Sequence, residues 1–386
     1  MKISIQCIKS LSSGGFLTQL HSCYNQLKLV EGHTTTNRRI LKITVFSACA
    51  DNQDYAQKMK VLKYVLDQFV TIQAPVSFVS QPPMDGKILI EAWILDYKDT
   101  GLTFTFKRES QVSVLQLDSL NYSCLIASQY SEMYDSFKQN AGETFKLLDS
   151  TLLESNFDYS DIVRQWNYIE NITLEDVSGD RSLQNYQIFN DLRALFYEKS
   201  TFTAGYPSAT GIGIKNGGCT IEIIALKEKR GNDIFPITNT HQVDAHSYSS
   251  NVLTGEYTGE VKTISTPKFE RGKFMQFRKE GFLFISGTAS IIGENTVYPE
   301  DVTRQTLTTI ENIDHLISFN HLNHCNKKID SIPKLKNYRV YLKNEQDYDV
   351  VKALCDAHFG IKKGIFIKAD SCRSNLLVEI EANYLF

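Results

Sequence analysis

The chain has 386 residues, 42% of them hydrophobic and 22% charged, with a formal net charge of −3. That length suits two domains of ordinary size, and the near-neutral balance, without a long basic run, excludes nucleic acid as an expected partner. No apolar run approaches a membrane span: Ile3 to Ile8 is closed by Lys9 and is shorter than a signal peptide's core, so a cytoplasmic protein without a membrane partner is expected.

The eight cysteines are thinly spread and lack any Cys-x-x-Cys spacing, which speaks for reduced thiols and against a structural zinc site. Along the first half, strands are predicted at Arg39–Ala48, Ile88–Ile94, Leu102–Phe106, Val112–Leu117 and Cys124–Ser128. A helical stretch at Gly142–Leu153 follows, with Phe145, Leu148 and Leu152 on one face. Next come a strand at Ile162–Ile169 and a helix at Leu183–Lys199, with Tyr186, Phe189, Leu192 and Phe196 at helical spacing. Strands Ala209–Lys215 and Cys219–Leu226, joined by Asn216-Gly217-Gly218, close the unit.

The second half repeats that order. Strands at Lys273–Arg278 and Phe282–Ala289 flank a Lys279-Glu280-Gly281 turn, and a helix spans Pro299–Ser318 with Pro299, Glu300 and Asp301 in its first turn. Then come a strand (Asn337–Lys343), a helix (Glu345–His358) and the strands Gly364–Ala369 and Asn375–Ala382. Ile221-Glu222-Ile223 even matches Val378-Glu379-Ile380. Strands, then a strand between two helices, then strands again, predict an α+β fold with helices on one sheet face. The boundary falls in the polar segment Lys227–Asn232, giving units 1–230 and 231–386 with a cleft between them.

Several strings go further. Arg164-Gln-Trp-Asn-Tyr-Ile169, Tyr186-Gln-Ile-Phe-Asn-Asp-Leu-Arg193, Tyr206-Pro-Ser-Ala-Thr-Gly-Ile-Gly213, Phe269-Glu-Arg271, Ser286-Gly-Thr-Ala-Ser-Ile-Ile-Gly293, and Cys372-Arg373 before Leu376-Leu-Val-Glu-Ile-Glu381 occur in one order. Together they resemble the chorismatase/3-hydroxybenzoate synthase family, in which two YjgF/RidA-like (endoribonuclease L-PSP-like) domains are fused. The resemblance covers roughly residues 160–384. It implies two tandem domains, the first divergent with extra N-terminal strands, each a mixed sheet with two helices on one face. It also implies an enzyme of secondary metabolism, without cofactor, that cleaves the enolpyruvyl ether of chorismate. The products are pyruvate and a dihydroxycyclohexadiene carboxylate or hydroxybenzoate.

That chemistry needs a protonated carboxyl to attack the enol methylene, and arginines to grip two carboxylates. By the resemblance, the acid follows the Ser-Gly-x-Ala-Ser string. Counted back from Pro299, the acid's place holds Asn295 and the preceding histidine's place holds Glu294, so Glu294 is the candidate donor. Arg271 and Arg373 are the carboxylate grips, with Arg164 a further candidate; Arg193 reads as structural. Tyr206, Thr210, Gly211 and Gly213 are expected to form a substrate-facing wall, and Thr288 to bear on the product, leaning to simple hydrolysis. The His321-Leu-Asn-His324 pair reads as a polar connection rather than a metal site. Two alternatives stay open, a RidA-like imine deaminase and a ligand-binding homologue impaired by Asn295. Monomer and homotrimer are likewise both open.

Overall fold

The computed structural model describes residues 2–32, 37–98, 101–178, 181–228, 234–253, 256–257, 264–277, 280–325, 329, 331–361 and 363–386. The expected boundary at 227–232 and the turn residue Lys279 therefore fall largely outside the described residues. No described helix is long and apolar enough to cross a membrane.

Three mixed sheets with the same strand order make up the body of the protein. The first comprises β1 (Lys2–Lys9), α1 (Phe16–Gly32), β2 (Asn37–Ser47), α2 (Asn52–Gln68), β3 (Val76–Ser80) and β4 (Ile88–Tyr97), with strand order β1-β4-β2-β3. The second starts with β5 (Thr103–Glu109), β6 (Val112–Asp118) and β7 (Tyr122–Tyr130). It continues with α3 (Phe137–Glu154), β8 (Ile162–Glu170), α4 (Asn185–Tyr197), β9 (Ser208–Ile214) and β10 (Cys219–Glu228), in order β9-β8-β10-β7-β6-β5. The third contains β11 (Ile234–Ile237), β12 (Gly272–Phe277), β13 (Glu280–Ala289), α5 (Val302–Ile317) and α6 (Phe319–Cys325). It ends with β14 (Lys334–Leu342), α7 (Tyr348–Phe359), β15 (Gly364–Lys368) and β16 (Val378–Leu385), in order β11-β12-β13-β16-β14-β15.

Each sheet thus carries one strand–helix–strand–helix–strand–strand path, with its last strand inserted between the first two and one parallel pair at its end. Residues 1–230, expected as one such unit, hold two of these sheets. The helices of the first copy are written as plainly as the others: Leu20, Cys23, Tyr24 and Leu27 are all fully buried at helical spacing. Asp51, Ser136 and Asp301 cap α2, α3 and α5 through their side chains. Because Asp301 is the cap, α5 starts at Val302, and Pro299 and Glu300 lie before it rather than in its first turn. His321 and His324 sit on α6, not in an irregular connection, and His321 Nε2 donates to the Thr238 carbonyl at 2.7 Å.

The outer face of each sheet packs on its own helices in a separate apolar cluster. The inner faces of all three meet in one further cluster, in which Trp93 lies 6.0 Å from Trp166 and 6.3 Å from Phe284, centroid to centroid. Within this centre lie three ion pairs that cross between sheets. Lys42 pairs with Glu222 at 2.6 Å, Arg164 with Glu381 at 2.9 Å and Arg339 with Glu91 at 2.5 Å. Each sheet gives one cation to a neighbour and takes one from the other neighbour, which closes a ring. Every one of these side chains is buried, so each charge depends on its partner.

Candidate active site

One cleft lies where the second sheet meets the third. It is open to solvent and lined by both polar and apolar side chains. Helix α4 presents Tyr186, Asn190 and Arg193; β9 presents Ala209 and Gly211; β13 presents Gly287 and Ala289; and the β15–β16 connection presents Cys372 and Arg373. Arg271 and Glu379 also line it, with Tyr248 hydrogen-bonded to Arg271.

Strand alternation explains the placement. In β9, Ser208 and Thr210 pair with Arg164 and Trp166 of β8, and so share the inner face. Ala209 and Gly211 therefore turn the other way, toward α4. A Cβ on Gly211 would meet the Tyr186 ring at 3.0 Å. In β16, the apolar Val378, Ile380 and Ala382 join the helix-side cluster, so Glu379 and Glu381 project to the other face.

Glu379 is the unusual group. It is 4% exposed, and burial first, then the charge of Glu381, pushes its carboxyl up to about 8 against a hydrogen bond from Ser371. Burial thus favours its protonated form. The arginines are unusual in the opposite sense. Arg193 donates to Asn190 Oδ1 at 2.6 Å, and Arg271 to the Val243 carbonyl and the Tyr248 hydroxyl at 2.6 and 2.7 Å; each keeps a buried Nε without an acceptor. Arg373 donates to the Glu294 carbonyl at 2.9 Å and to Thr296 Oγ1 at 3.2 Å. Among the described residues none of the three forms an ion pair, whereas the central Arg164 and Arg339 both do. Three guanidiniums without an ion pair in one cleft can take up organic carboxylates.

Of the residues expected from sequence, Arg271, Arg373 and Gly211 line this cleft. Glu294 does not line it. Its carboxylate accepts from Ser249 N at 2.8 Å and Ser249 Oγ at 2.5 Å, and these bonds hold it below the usual range, so it is ionised and unsuited to giving a proton. Asn295 is exposed in the short hairpin Ile291–Thr296. Arg164 and Thr210 belong to the central ring: Thr210 Oγ1 accepts from Arg164 at 2.7 Å and donates to Glu381 at 2.6 Å. Thr288 donates to the Ser286 carbonyl and is displaced from the wall by strand alternation, which presents Gly287 and Ala289 instead. Tyr206 stands outside the wall, its N–H bonded to Glu270 Oε1 at 2.9 Å, and Gly213 N donates to the Asp370 carbonyl at 2.8 Å.

Glu379 and Arg193 are the residues sequence reasoning passed over. The available signal was a pair of glutamates, Glu379 and Glu381, inside an otherwise apolar strand, since glutamate is seldom fully buried without a task. Near the cleft, Asp244, His246 and Glu270 bring their ligand-capable atoms within 4.8 Å of one another. The set reads as an ion pair: His246 Nε2 faces Glu270 at 3.6 Å, which raises the histidine's pKa, and Lys268 opposes a further cation.

The cleft between the second and third sheets thus brings a buried carboxyl and three guanidiniums without an ion pair among the described residues into one lining, an arrangement able to hold small organic anions. The family described as Chorismatase FkbO/Hyg5-like, N-terminal, matches residues 100–225. A 3-hydroxybenzoate synthase from Streptomyces hygroscopicus is 31% identical over 237 residues, covering 60% of this chain and 65% of that protein, just under two thirds of its length. A chorismatase from the same organism is 29% identical over 251 residues, covering 62% and 68%. A chorismatase crystal structure superposes over 99% of this chain and 98% of its own, with a TM-score of 0.70 at 21% identity. A YjgF-family structure from Neisseria meningitidis matches 31% of this chain and 88% of its own, at 20% identity and a TM-score of 0.23. By sequence and by fold the chain is similar to the chorismatase/3-hydroxybenzoate synthase family.

Proposed function

We propose that the cleft binds chorismate or a close dicarboxylate relative, and that the chain hydrolyses its enolpyruvyl ether with Glu379 as proton donor. One arrangement carries the reading: a buried, neutral Glu379 in the same wall as Arg193, Arg271 and Arg373, none of them matched by a carboxylate. Two guanidiniums suffice for a dianion's two carboxylates, and the third adds charge and orientation.

Glu379 gives its proton to the terminal methylene carbon, and the ether carbon becomes an oxocarbenium ion. Water adds to that carbon, and its surplus proton returns to Glu379. The hemiketal then collapses, its hydroxyl proton passing to the departing ring oxygen, and pyruvate leaves with a dihydroxycyclohexadiene carboxylate. Capture of the cation by a hydroxyl of the substrate itself, followed by aromatisation, is the route to a hydroxybenzoate. The acid must be protonated at working pH, which burial of Glu379 provides.

The same reading takes the three sheets as three YjgF/RidA-like units fused in one chain, in place of units 1–230 and 231–386, so that a single chain closes its own ring. The test is pyruvate release from chorismate, coupled to lactate dehydrogenase, by the wild type and by Arg193→Leu and Arg373→Leu. The expected result is turnover by the wild type, with KM raised on the order of tenfold or more in each variant. Saturable chorismate binding without pyruvate would contradict it, and ammonia release from an imino acid would favour a deaminase.

A further inference from the structure

The three crossing ion pairs are related by strand register, and the register exposes one irregularity. On the neighbouring last strand, Lys42 lies opposite Trp93, Arg164 opposite Ile224 and Arg339 opposite Glu381. Two residues along, Thr44 lies opposite Glu91, Trp166 opposite Glu222 and Tyr341 opposite Glu379. The first strands agree, since Cys7, Ser128 and Ala289 face Glu91, Glu222 and Glu379. Glu91, Glu222 and Glu379 therefore occupy one equivalent place in the three sheets. Glu381 occupies another, where the other sheets carry Trp93 and Ile224.

Two of the three equivalent glutamates take the cation of an adjoining sheet. Glu222 takes Lys42 at 2.6 Å, and Glu91 takes Arg339 at 2.5 and 2.9 Å. By the same rule Arg164 belongs to Glu379. It bonds instead to Glu381, at 2.9 Å, and Glu381 is held by Trp166 Nε1 at 2.8 Å and by Thr210 Oγ1 at 2.6 Å. Arg164 still has a buried NH1 and Nε without an acceptor, so it has donors to spare for a second carboxylate.

We propose that Glu381 is a positioning residue that captures Arg164, the cation the symmetry would give to Glu379, and so leaves Glu379 unpaired and able to keep its proton. The inference deepens the reading of Glu379 as proton donor and rests on it. Electrostatics agree in direction: Arg164's charge favours the ionised form of Glu379 and Glu381's charge opposes it. Thr210 ties the device to the cleft wall, since its Oγ1 also accepts from Gly287 N at 3.1 Å, beside the Glu379 carboxyl.

The test reads the proton on Glu379 without substrate. Infrared difference spectra against Glu379→Gln isolate the carboxylic C=O band of Glu379, which is followed against pH in the wild type, Glu381→Gln, Arg164→Gln and the double variant. With Glu381→Gln, Arg164 turns to the one carboxylate left, and the band disappears at a pH lower by about one unit or more. With Arg164→Gln, Glu381 keeps Arg339, at 3.5 Å, as its ionic partner, its charge bears harder on Glu379 and the midpoint rises. The double variant removes both charges and returns the midpoint close to wild type. Should one single variant not fold, the other and the double still give different expectations, a shift against a midpoint close to wild type. Midpoints that stay unchanged, or shift the same way in both singles, would overturn the role of Glu381. A wild-type Glu379 already ionised at pH 6 would overturn the donor reading itself.

Discussion

Glu379 and Glu294 are two carboxyls of one type made chemically opposite by their neighbours. Burial keeps the first protonated up to about 8, whereas hydrogen bonds from Ser249 keep the second ionised below its usual range. The activity should follow the protonated form of Glu379, so kcat is predicted to hold through neutral pH and to fall as pH rises through about 8. A pH–rate profile checks this. Stability follows the same group with a definite sign. Its folded pKa lies above the ordinary 4.5, so the native state binds more protons than the unfolded state between 4.5 and about 8, and stability drains away as pH rises across that window. Glu379→Gln should therefore be more stable than the wild type at pH 9, by roughly 1–2 kcal/mol, and melt at a higher temperature. An equal or lower melting temperature would speak against a strained acid. Arg271 and Arg373 could be found from sequence because carboxylate chemistry asks for arginines and the family strings carry these two, whereas Arg193, on a helix, reads as structural. The acid could not, because what makes it an acid is burial and a diverted cation, which come from sheets distant in the chain.

At the scale of elements, β13 and β16 form the working wall, and their fit leaves no room for a side chain at Gly287. A Cβ there would lie 2.0 Å from Glu379 Oε1 and 3.1 Å from Thr210 Cγ2, while the backbone at Gly287 is in no left-handed conformation. Gly287→Ala is thus predicted to fold with unchanged far-ultraviolet circular dichroism and to lose on the order of 100-fold in kcat by displacing the acid. A variant with wild-type turnover would mean that Glu379 is not held where the strand pair puts it. The strands and helices of the second and third sheets were legible because their apolar spacing is regular and turn residues such as Asn216-Gly217-Gly218 punctuate them. Helices α1 and α2 carry similar spacing. The quoted family strings begin only near residue 160, however, so nothing in that resemblance pointed to a further copy upstream.

For the whole molecule, the three sheets hold one another through a common apolar centre and a closed ring of buried ion pairs. Equivalent inter-sheet places have diverged. Between the first and second sheets the β9–β10 turn packs on α2, where a Cβ on Gly217 would strike the Tyr55 ring at 2.5 Å. Between the third and first, Met84 N donates to the Phe366 carbonyl at 2.9 Å and Met84 packs against the third sheet's helix-side cluster. Breaking the ring away from the cleft tests its weight. Arg339→Met strands Glu91 as a buried charge and should cost about 3–5 kcal/mol in urea unfolding. A loss below about 1 kcal/mol would show that the ring does not bind the sheets together. Since one chain supplies all three sheets, sedimentation at the mass of a single chain is expected, and a trimer would contradict the self-closed ring. This closure was illegible in the sequence because its pairs join residues 180, 217 and 248 positions apart.

The most direct measurement is pyruvate release from chorismate by the wild type, Glu379→Gln and Glu294→Gln under one set of conditions. The account predicts turnover by the wild type, its loss in Glu379→Gln and near-wild-type rates in Glu294→Gln. Turnover that survives in Glu379→Gln and vanishes in Glu294→Gln would contradict it, and would return the acid to the loop before α5.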